Sequence, residues 1–375
     1  MDCPATSDAR DAARFLSVFG EKALREGTPL SGSVDLTDQC NLACVHCYGG
    51  DRARAGRFSG GPKFADLARF LDQAADAGCL FLLFTGGECL LRPDFPELYA
   101  RAAGLGMRVT VFTNGTLVTP DLARLFREFP PHGVEISLYG LTPEVHDGVT
   151  RVPGSLARSL AGFRLLSEAG VRLAVKTILM AQNRQEFFDL ERFAVDNGAR
   201  FRFDPAVFPR LNGDPGPVEY RVSPAEAVEK DLSDPGRLGR WKDYWDRDGG
   251  RKQPLGTGCG AGRNSFHLDS AGRLVPCLMM GAPAVDALEP EFSRAWQQLR
   301  AETLRAGHAE PEECRGCGKK ILCDFCPAFF ALETGSARER SAFVCEMAGL
   351  RHGQVTQDRR NHERPHQREA GQAAL

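Results

Sequence analysis

A chain of 375 residues that is 42 % hydrophobic and 26 % charged has the composition of a globular protein and the length for two domains. Its formal net charge of −2 gives no electrostatic reason to expect nucleic acid or an anionic membrane as partner. Asp2, Asp8 and Asp11 stand where a signal peptide needs a basic region, and the longest apolar run, near 77–84, is far too short to cross a bilayer. A cytoplasmic location is therefore expected, and thirteen cysteines there read as metal ligands, not a disulfide framework.

Along residues 8–25, Leu16, Phe19 and Leu24 fall on one side of a helix, a face suited to packing against the main domain. After a short β-like segment at 34–36 comes Cys40-Asn-Leu-Ala-Cys44-Val-His-Cys47-Tyr48, three cysteines spaced by three and then two residues. Three thiolates on one tight loop can hold three irons of a [4Fe–4S] cluster and leave the fourth open to a ligand. Zinc would want a fourth nearby Cys or His, and His46 lies badly placed between two of the thiols. The run Phe81-Leu-Leu-Phe-Thr85-Gly86-Gly87-Glu88 then reads as a buried strand ending in two glycines and a carboxylate. Glycines there allow close backbone approach, and a carboxylate binds an ammonium group.

Further strands are expected to start near Leu80, Arg108, Val134, Arg172 and Arg200, with helices over about 62–77, 94–104, 119–128, 155–169 and 185–197. Phe64, Leu67, Phe70, Leu71 and Ala74 give the first of these its apolar face, and Gly78, Gly104 and Gly170 mark helix ends. Repeated βα units demand a parallel sheet with right-handed crossovers. The expected fold class is α/β, a partial (β/α)6 parallel barrel followed by a small cysteine-rich C-terminal iron–sulfur domain. The candidate chemistry at 40–47, 85–88, Thr113-Asn114-Gly115 and Ser137-Leu-Tyr-Gly140 falls just after strands, on the rim where parallel barrels build active sites. Asn114-Gly115 is also a common turn dipeptide. His146-Asp147 resembles an acid–base pair, but Thr142-Pro143-Glu144 before it marks a helix start and favours a structural role. Tyr139 and Cys79 read as packing residues, as does Cys89.

The three-cysteine loop and the Gly-Gly-Glu segment together resemble the radical SAM superfamily. The resemblance implies that the loop holds a [4Fe–4S] cluster whose open iron takes S-adenosylmethionine, with Gly86, Gly87 and Glu88 receiving the methionine amino group. One-electron cleavage would then yield a 5′-deoxyadenosyl radical that abstracts hydrogen from a substrate. By the same resemblance, Ser137 and Arg151 match positions that hold the carboxylate and ribose of S-adenosylmethionine, and Asn114 is a further candidate for that pocket.

Residues 204–256 break the rhythm with Asn212-Gly-Asp-Pro-Gly-Pro217 and similar turn signals, around helices near 224–232 and Trp241–Trp245. Seven more cysteines come after them, namely Cys259, Cys277, Cys314, Cys317, Cys323, Cys326 and Cys345, with a hairpin signal at Asp269-Ser-Ala-Gly272. This set resembles the SPASM extension of radical SAM enzymes, which implies two auxiliary [4Fe–4S] clusters and three in all. By analogy Cys314, Cys317, Cys323 and Cys345 hold one, and Cys259, Cys277 and Cys326 the other. Only Asp324 and Phe325 separate Cys323 from Cys326, where the family usually has three residues. Paired Cys-x2-Cys units are also a zinc signature, but the five residues between Cys317 and Cys323 are short for a zinc ribbon. The expected domains are an N-terminal helix (1–30), the barrel (31–204), a connecting region (205–256), the auxiliary cluster domain (257–349) and a disordered tail (350–375).

The resemblance implies an enzyme that oxidatively modifies a peptide or protein, foremost by crosslinking a ribosomally made peptide. It would draw electrons from a flavodoxin or ferredoxin type of donor, and a separate leader-peptide recognition protein is a further expected partner. The alternatives are formylglycine maturation of a sulfatase, cofactor biosynthesis of the pyrroloquinoline-quinone or haem-tailoring kind, and, from another class, an iron–sulfur electron carrier.

Overall fold

The computed structural model describes residues 9–50, 60–248, 259–289, 291–307, 309–323 and 326–363. Cys3, the Asp324-Phe325 pair and residues 364–375 lie outside them.

Six strands alternate with helices, as the apolar periodicity requires. They are β1 (Ser31–Asp35), β2 (Phe81–Thr85), β3 (Arg108–Thr113), β4 (Gly133–Ser137), β5 (Leu173–Ile178) and β6 (Arg200–Asp204). α1 (Ala9–Glu26) precedes them; α2 (Phe64–Asp76), α3 (Phe95–Gly104), α4 (Pro120–Glu128), α5 (Pro143–Thr150), α6 (Ser155–Glu168) and α7 (Phe187–Asp196) connect them. Local chemistry sets the helix starts. Thr119 caps α4 by accepting from the Leu122 N–H at 3.2 Å, and proline, whose missing N–H costs nothing there, opens α4 and α5.

The strands run in the spatial order β6-β5-β4-β3-β2-β1 with parallel registers such as Ser31↔Phe81 and Val111↔Val134. This is the partial (β/α)6 parallel arrangement that the sequence predicts. Alternation then sorts its residues by face. Val34, Leu82, Phe84, Val109, Val111, Val134, Ile136 and Val175 pack into one core with α2, α3, α4 and α6. Ser33, Asp35, Thr110, Phe112, Glu135, Ser137 and Lys176 alternate with them and so point to the opposite face. That second face carries charge: Glu135 pairs with Arg202, and the Lys176 ammonium stands 4.7 Å from the Phe112 ring centroid.

The domain boundaries differ from the sequence expectation in two places. The chain divides into one unit of residues 1–177, 186–202 and 260–307, and a second of 178–185, 203–259 and 308–375. The segment after 257 thus does not begin a separate domain. β7 (Ser265–Leu268) adds to the barrel sheet, parallel to β1, and the predicted hairpin carries the sheet on through β8 (Arg273–Val275) to β9 (Val285–Asp286). Its turn needs Gly272 at φ +83°, where a Cβ would stand 2.3 Å from Leu288. Phe266 of β7, Phe70 of α2 and Phe292 at the start of α10 (Phe292–Ala306) meet edge to face, with centroids 5.2–6.0 Å apart. Such pairs each add about 0.5–1.5 kcal/mol beyond area burial, enough to anchor a four-residue strand.

The expected connecting region likewise belongs to the second unit. Its helices α8 (Pro224–Leu232) and α9 (Pro235–Asp248) pack with α12 (Ala342–Glu363), while α11 (Pro327–Thr334) follows Cys326. The tail expected to be disordered from 350 is therefore helical to Glu363. Arg351 is the physical reason. Buried to 2 % exposure, it donates to Asp231 at 3.1 and 3.2 Å and to the Leu322 carbonyl at 3.1 Å, over the Trp241 ring. Trp241 Nε1 donates to the same Asp231 oxygen at 2.9 Å. Among the described residues, no helix is long and apolar enough to cross a membrane.

Removing one partner of a buried pair strands the other charge. Arg351→Ala is expected to destabilise the second unit by about 3–5 kcal/mol, read as an earlier urea transition. An unchanged transition would mean that Asp231 finds water.

Candidate active site

The three-cysteine loop leaves the C-terminal end of β1 and is fixed by backbone approach. Gly87 N–H donates to the Thr37 carbonyl and Glu88 N–H to the Gln39 carbonyl, both at 2.8 Å. Only glycine fits: a Cβ on Gly86 (φ +127°) would stand 2.2 Å from the Thr37 carbonyl oxygen, and one on Gly87 would stand 2.2 Å from that of Gln39. The far side of the loop hangs from the end of α5, where Ala43 N–H reaches the Thr150 carbonyl at 2.9 Å and Val45 N–H that of Val149 at 3.0 Å. Two segments far apart in sequence, Gly87–Glu88 and Val149–Thr150, thus fix the positions of Cys40, Cys44 and Cys47.

Those thiols form an unfavourable set on their own. Burial, then the nearby Glu88 charge, pushes Cys40 up to about 12. Burial pushes Cys44 up further, followed by repulsion from Cys40 and Cys47. A bound cation relieves such repulsion by favouring the thiolates. Two donors already point at sulfur: Leu42 N–H stands 3.4 Å from Cys40 Sγ, and Asn114 Nδ2 stands 3.9 Å from it. Among the described residues, no three His, Cys, Asp or Glu side chains converge on a single-ion position. A [4Fe–4S] cluster instead binds each cysteine to a different iron, and three thiols on one loop fit that requirement.

Glu88 is almost fully buried, and its carboxylate ties strand ends together. It accepts from Thr113 Oγ and the Asn114 N–H, each at 2.7 Å, and from the Leu90 N–H at 3.1 Å. Burial raises its pKa against the pull of these bonds. Asn114 does more than make a turn. Its Nδ2 donates to Asn41 Oδ1 at 2.8 Å inside the cysteine loop, and its Oδ1 accepts from Thr116 Oγ at 2.6 Å. Gly115, at φ +77°, makes the turn beside it. Cys89 donates to the Phe112 carbonyl at 3.3 Å, and Cys79 is buried; both pack, as expected.

Ser137 ends β4, and Tyr139 follows two residues later. The Tyr139 ring lies edge-on to His46, centroids 4.6 Å apart, with its hydroxyl 3.2 Å from His46 Nε2. Tyr139 N–H donates to His146 Nδ1 at 3.2 Å. Burial lowers both histidines to about 4, so both rings are neutral. Asp147 takes the structural role expected of it. It accepts from Gly154 N–H (2.6 Å), Ser155 Oγ (2.7 Å) and Leu156 N–H (2.9 Å) at the start of α6. Burial alone would raise Asp147, but these donors hold it below the ordinary carboxylate range. Arg151 is exposed and left-handed (φ +61°), and its N–H donates to the Asp147 carbonyl at 2.8 Å. A non-glycine residue there costs about 1–2 kcal/mol.

The rim thus brings together Cys40, Cys44, Cys47, Gly86, Gly87, Glu88 and Asn114 through hydrogen bonds, while Ser137 stands at the end of the neighbouring β4. Sequence reasoning missed Asn41 and the Ser33–His267–Asp35 chain. In that chain Ser33 Oγ lies 2.8 Å from His267 Nδ1, and His267 Nε2 lies 3.4 Å from Asp35. It becomes visible only once β7 pairs with β1 and sets Ser33 opposite His267.

In the second unit, burial and then the charges of Cys317 and Cys345 raise Cys314. Arg340 Nη1 lies 3.5 Å from Cys345 Sγ. Cys326 caps α11 by accepting from the Phe329 N–H at 3.4 Å; burial raises it, with Cys259 contributing. Cys323 belongs to the same unit, whereas Cys277 belongs to the first.

Gly87→Ala is expected to displace the cysteine loop and to remove about four irons per chain from reconstituted protein; full iron content would show that the loop tolerates the contact. Asp147→Ala removes three capping bonds and should cost about 1–2 kcal/mol. Because the folded-state pKa of Asp147 is depressed, its stabilisation is present above the unfolded pKa and fades as pH falls through the folded one. The wild-type and Asp147→Ala melting temperatures should therefore converge in acid.

Residues 34–194 match the family model described as Radical SAM superfamily. The chain is 28 % identical over 343 residues to the AdoMet-dependent heme synthase of Methanosarcina barkeri, covering 84 % of this chain and 96 % of that one. It is 24 % identical over 305 residues to the PqqA peptide cyclase of Granulibacter bethesdensis, covering 78 % and 81 %. In fold it is similar to Streptococcus suis SuiB, solved with its precursor peptide SuiA, at a TM-score of 0.68 and 17 % identity over 92 % of this chain and 84 % of that one. The matched segment contains the cysteine loop, Gly86–Glu88 and the rim that holds them, so the chain carries a radical SAM domain over residues 34–194.

Proposed function

We propose that the chain oxidatively modifies a ribosomally made peptide, installing a crosslink. The observation that carries this reading is the second cysteine set, seven residues beyond those the radical loop needs. Six of them fall in one compact unit, and Cys314 feels the charges of Cys317 and Cys345. A crosslink takes two hydrogens from the substrate, and further iron–sulfur centres offer the second electron a way out.

When bound, the cluster and S-adenosylmethionine supply a one-electron cleavage that produces the hydrogen-abstracting 5′-deoxyadenosyl radical. The chain supplies the positioning. Cys40, Cys44 and Cys47 hold the cluster, and Gly86 and Gly87 bring backbone against the loop. Glu88, Asn114, Ser137 and Arg151 are assigned to S-adenosylmethionine. Glu88 already accepts from Leu90, Thr113, Asn114 and the Cys89 thiol, so it also holds the Asn114 segment against the loop. The loop's anchor at Thr150 directly precedes Arg151, whose left-handed backbone is the kind of strain found at ligand sites. Cys314, Cys317, Cys323 and Cys345 are assigned to one auxiliary cluster, and Cys259 and Cys326 to ligation of another. A flavodoxin or ferredoxin type of donor would provide the reducing electron.

One observation favours a second reading, haem tailoring: the relative aligned over 84 % of the chain is named a heme synthase.

Anaerobic iron and sulfide quantitation with EPR tests the shared chemistry. About twelve irons per chain are expected, falling by about four in Cys40→Ala/Cys44→Ala/Cys47→Ala with loss of 5′-deoxyadenosine formation. About four irons in the wild type would remove the auxiliary clusters. Small precursor peptides and an iron porphyrin are then offered separately. A peptide lighter by two hydrogens supports crosslinking. A Soret shift with porphyrin consumption and unchanged peptides supports haem tailoring instead.

A further inference from the structure

The cysteine loop sits at the C-terminal ends of the barrel strands, and a cluster of positive charge sits at their N-terminal ends. Arg108 opens β3, His132 precedes β4, Arg172 precedes β5 and Arg200 opens β6. The sheet sets these residues side by side. His132 N–H donates to the Val109 carbonyl at 2.7 Å, and Val134 N–H donates to that of Arg172 at 2.9 Å. Gly133 leaves the space between them open: a Cβ there would stand 3.5 Å from the Arg172 carbonyl oxygen and 3.9 Å from Arg200 Nη2. Arg108 Nη2 lies 3.1 Å from His132 Nδ1, so that ring nitrogen accepts. Burial, and then the charges of Arg108, Arg172 and Arg200, lower the His132 pKa. All three arginines are exposed, and among the described residues none is paired with a carboxylate. Elsewhere on the same domain, Arg101, Arg124 and Arg192 are each matched to an aspartate.

We propose that this end of the barrel docks an acidic segment of the precursor peptide, whose carboxylates pair with Arg108, Arg172 and Arg200. The inference rests on the peptide reading above. From β3 to β6 there are three strand spacings, about 14 Å. A single phosphate or carboxylate cannot bridge that span. An extended chain with acidic residues at every second position presents three carboxylates over about 13 Å. Exposed guanidinium–carboxylate pairs are weak one at a time, so docking needs several at once. Nucleic acid is the poorer fit, since the chain as a whole carries a formal charge of −2. A strand of five or six residues, about 17–20 Å, separates this surface from the cysteine-loop end, so the docked segment is distinct from the part that is modified.

The test is fluorescence anisotropy of a labelled dodecapeptide of alternating Glu and Ser, titrated with the full chain. Saturable binding is expected at low ionic strength, weakening as salt is added. Arg108→Glu/Arg172→Glu/Arg200→Glu should weaken it about tenfold. Arg124→Glu/Arg164→Glu/Arg192→Glu changes the net charge equally on exposed helix faces and should stay within about twofold of the wild type. No binding by the wild type overturns the proposal, as does an equal loss in both variants. A labelled oligothymidine of the same length that binds more tightly than the peptide overturns it in favour of nucleic acid. If the first variant melts early, Arg172→Gln/Arg200→Gln decides: weaker binding supports the surface and unchanged binding overturns it. Crosslinking is scored separately by mass, so a chain that crosslinks peptides yet ignores the acidic probe fails on docking alone.

Discussion

The site depends first on a backbone contact. Gly86 and Gly87 run so close to Thr37–Gln39 that any side chain on them would enter a carbonyl oxygen. That contact lets the strand end β2 hydrogen-bond the stem of the cysteine loop directly. Glu88 then closes the opposite side by gripping the end of β3 through Thr113 and Asn114. Three neighbouring strand ends thereby become one rigid platform, and none of the three contacts involves a cysteine. The platform can therefore exist before iron arrives, which lowers the conformational cost of binding it.

The electrostatics complement this geometry. Burial alone makes three adjacent thiolates costly, and Glu88 adds a fourth negative group below them. Weak N–H donors from Leu42 and Asn114 face the Cys40 sulfur. Such a site favours a positively charged inorganic core, while its dipoles remain available to adjust electron affinity.

Much of this was legible in the sequence because it is local. The βα alternation appears as apolar periodicity, prolines and threonines mark helix starts, and the two glycines with Glu88 announce close approach at a strand end. Contacts across long stretches of chain were not legible. β7 is a four-residue segment with too little pattern to reveal that it joins β1, and so Ser33–His267–Asp35 could not be read. Residues 350–363 look disordered because Arg, His and Gln dominate them. Their helix is held by the buried Arg351–Asp231–Trp241 arrangement, whose partners lie over a hundred positions away. Asn114 was legible as a turn but not as a strut, since its partner Asn41 is identified only by the fold.

The insertion of β7 beside β1 also governs the order of assembly. β1 carries the stem of the cysteine loop, yet one of its edges stays unpaired until residues about 230 positions later have been made. At ordinary rates of synthesis that interval is on the order of 10–50 s. During it the nascent chain presents an open strand edge directly before the three thiols of the loop. The strand that carries the loop is thus completed on its second edge only after most of the chain has been made.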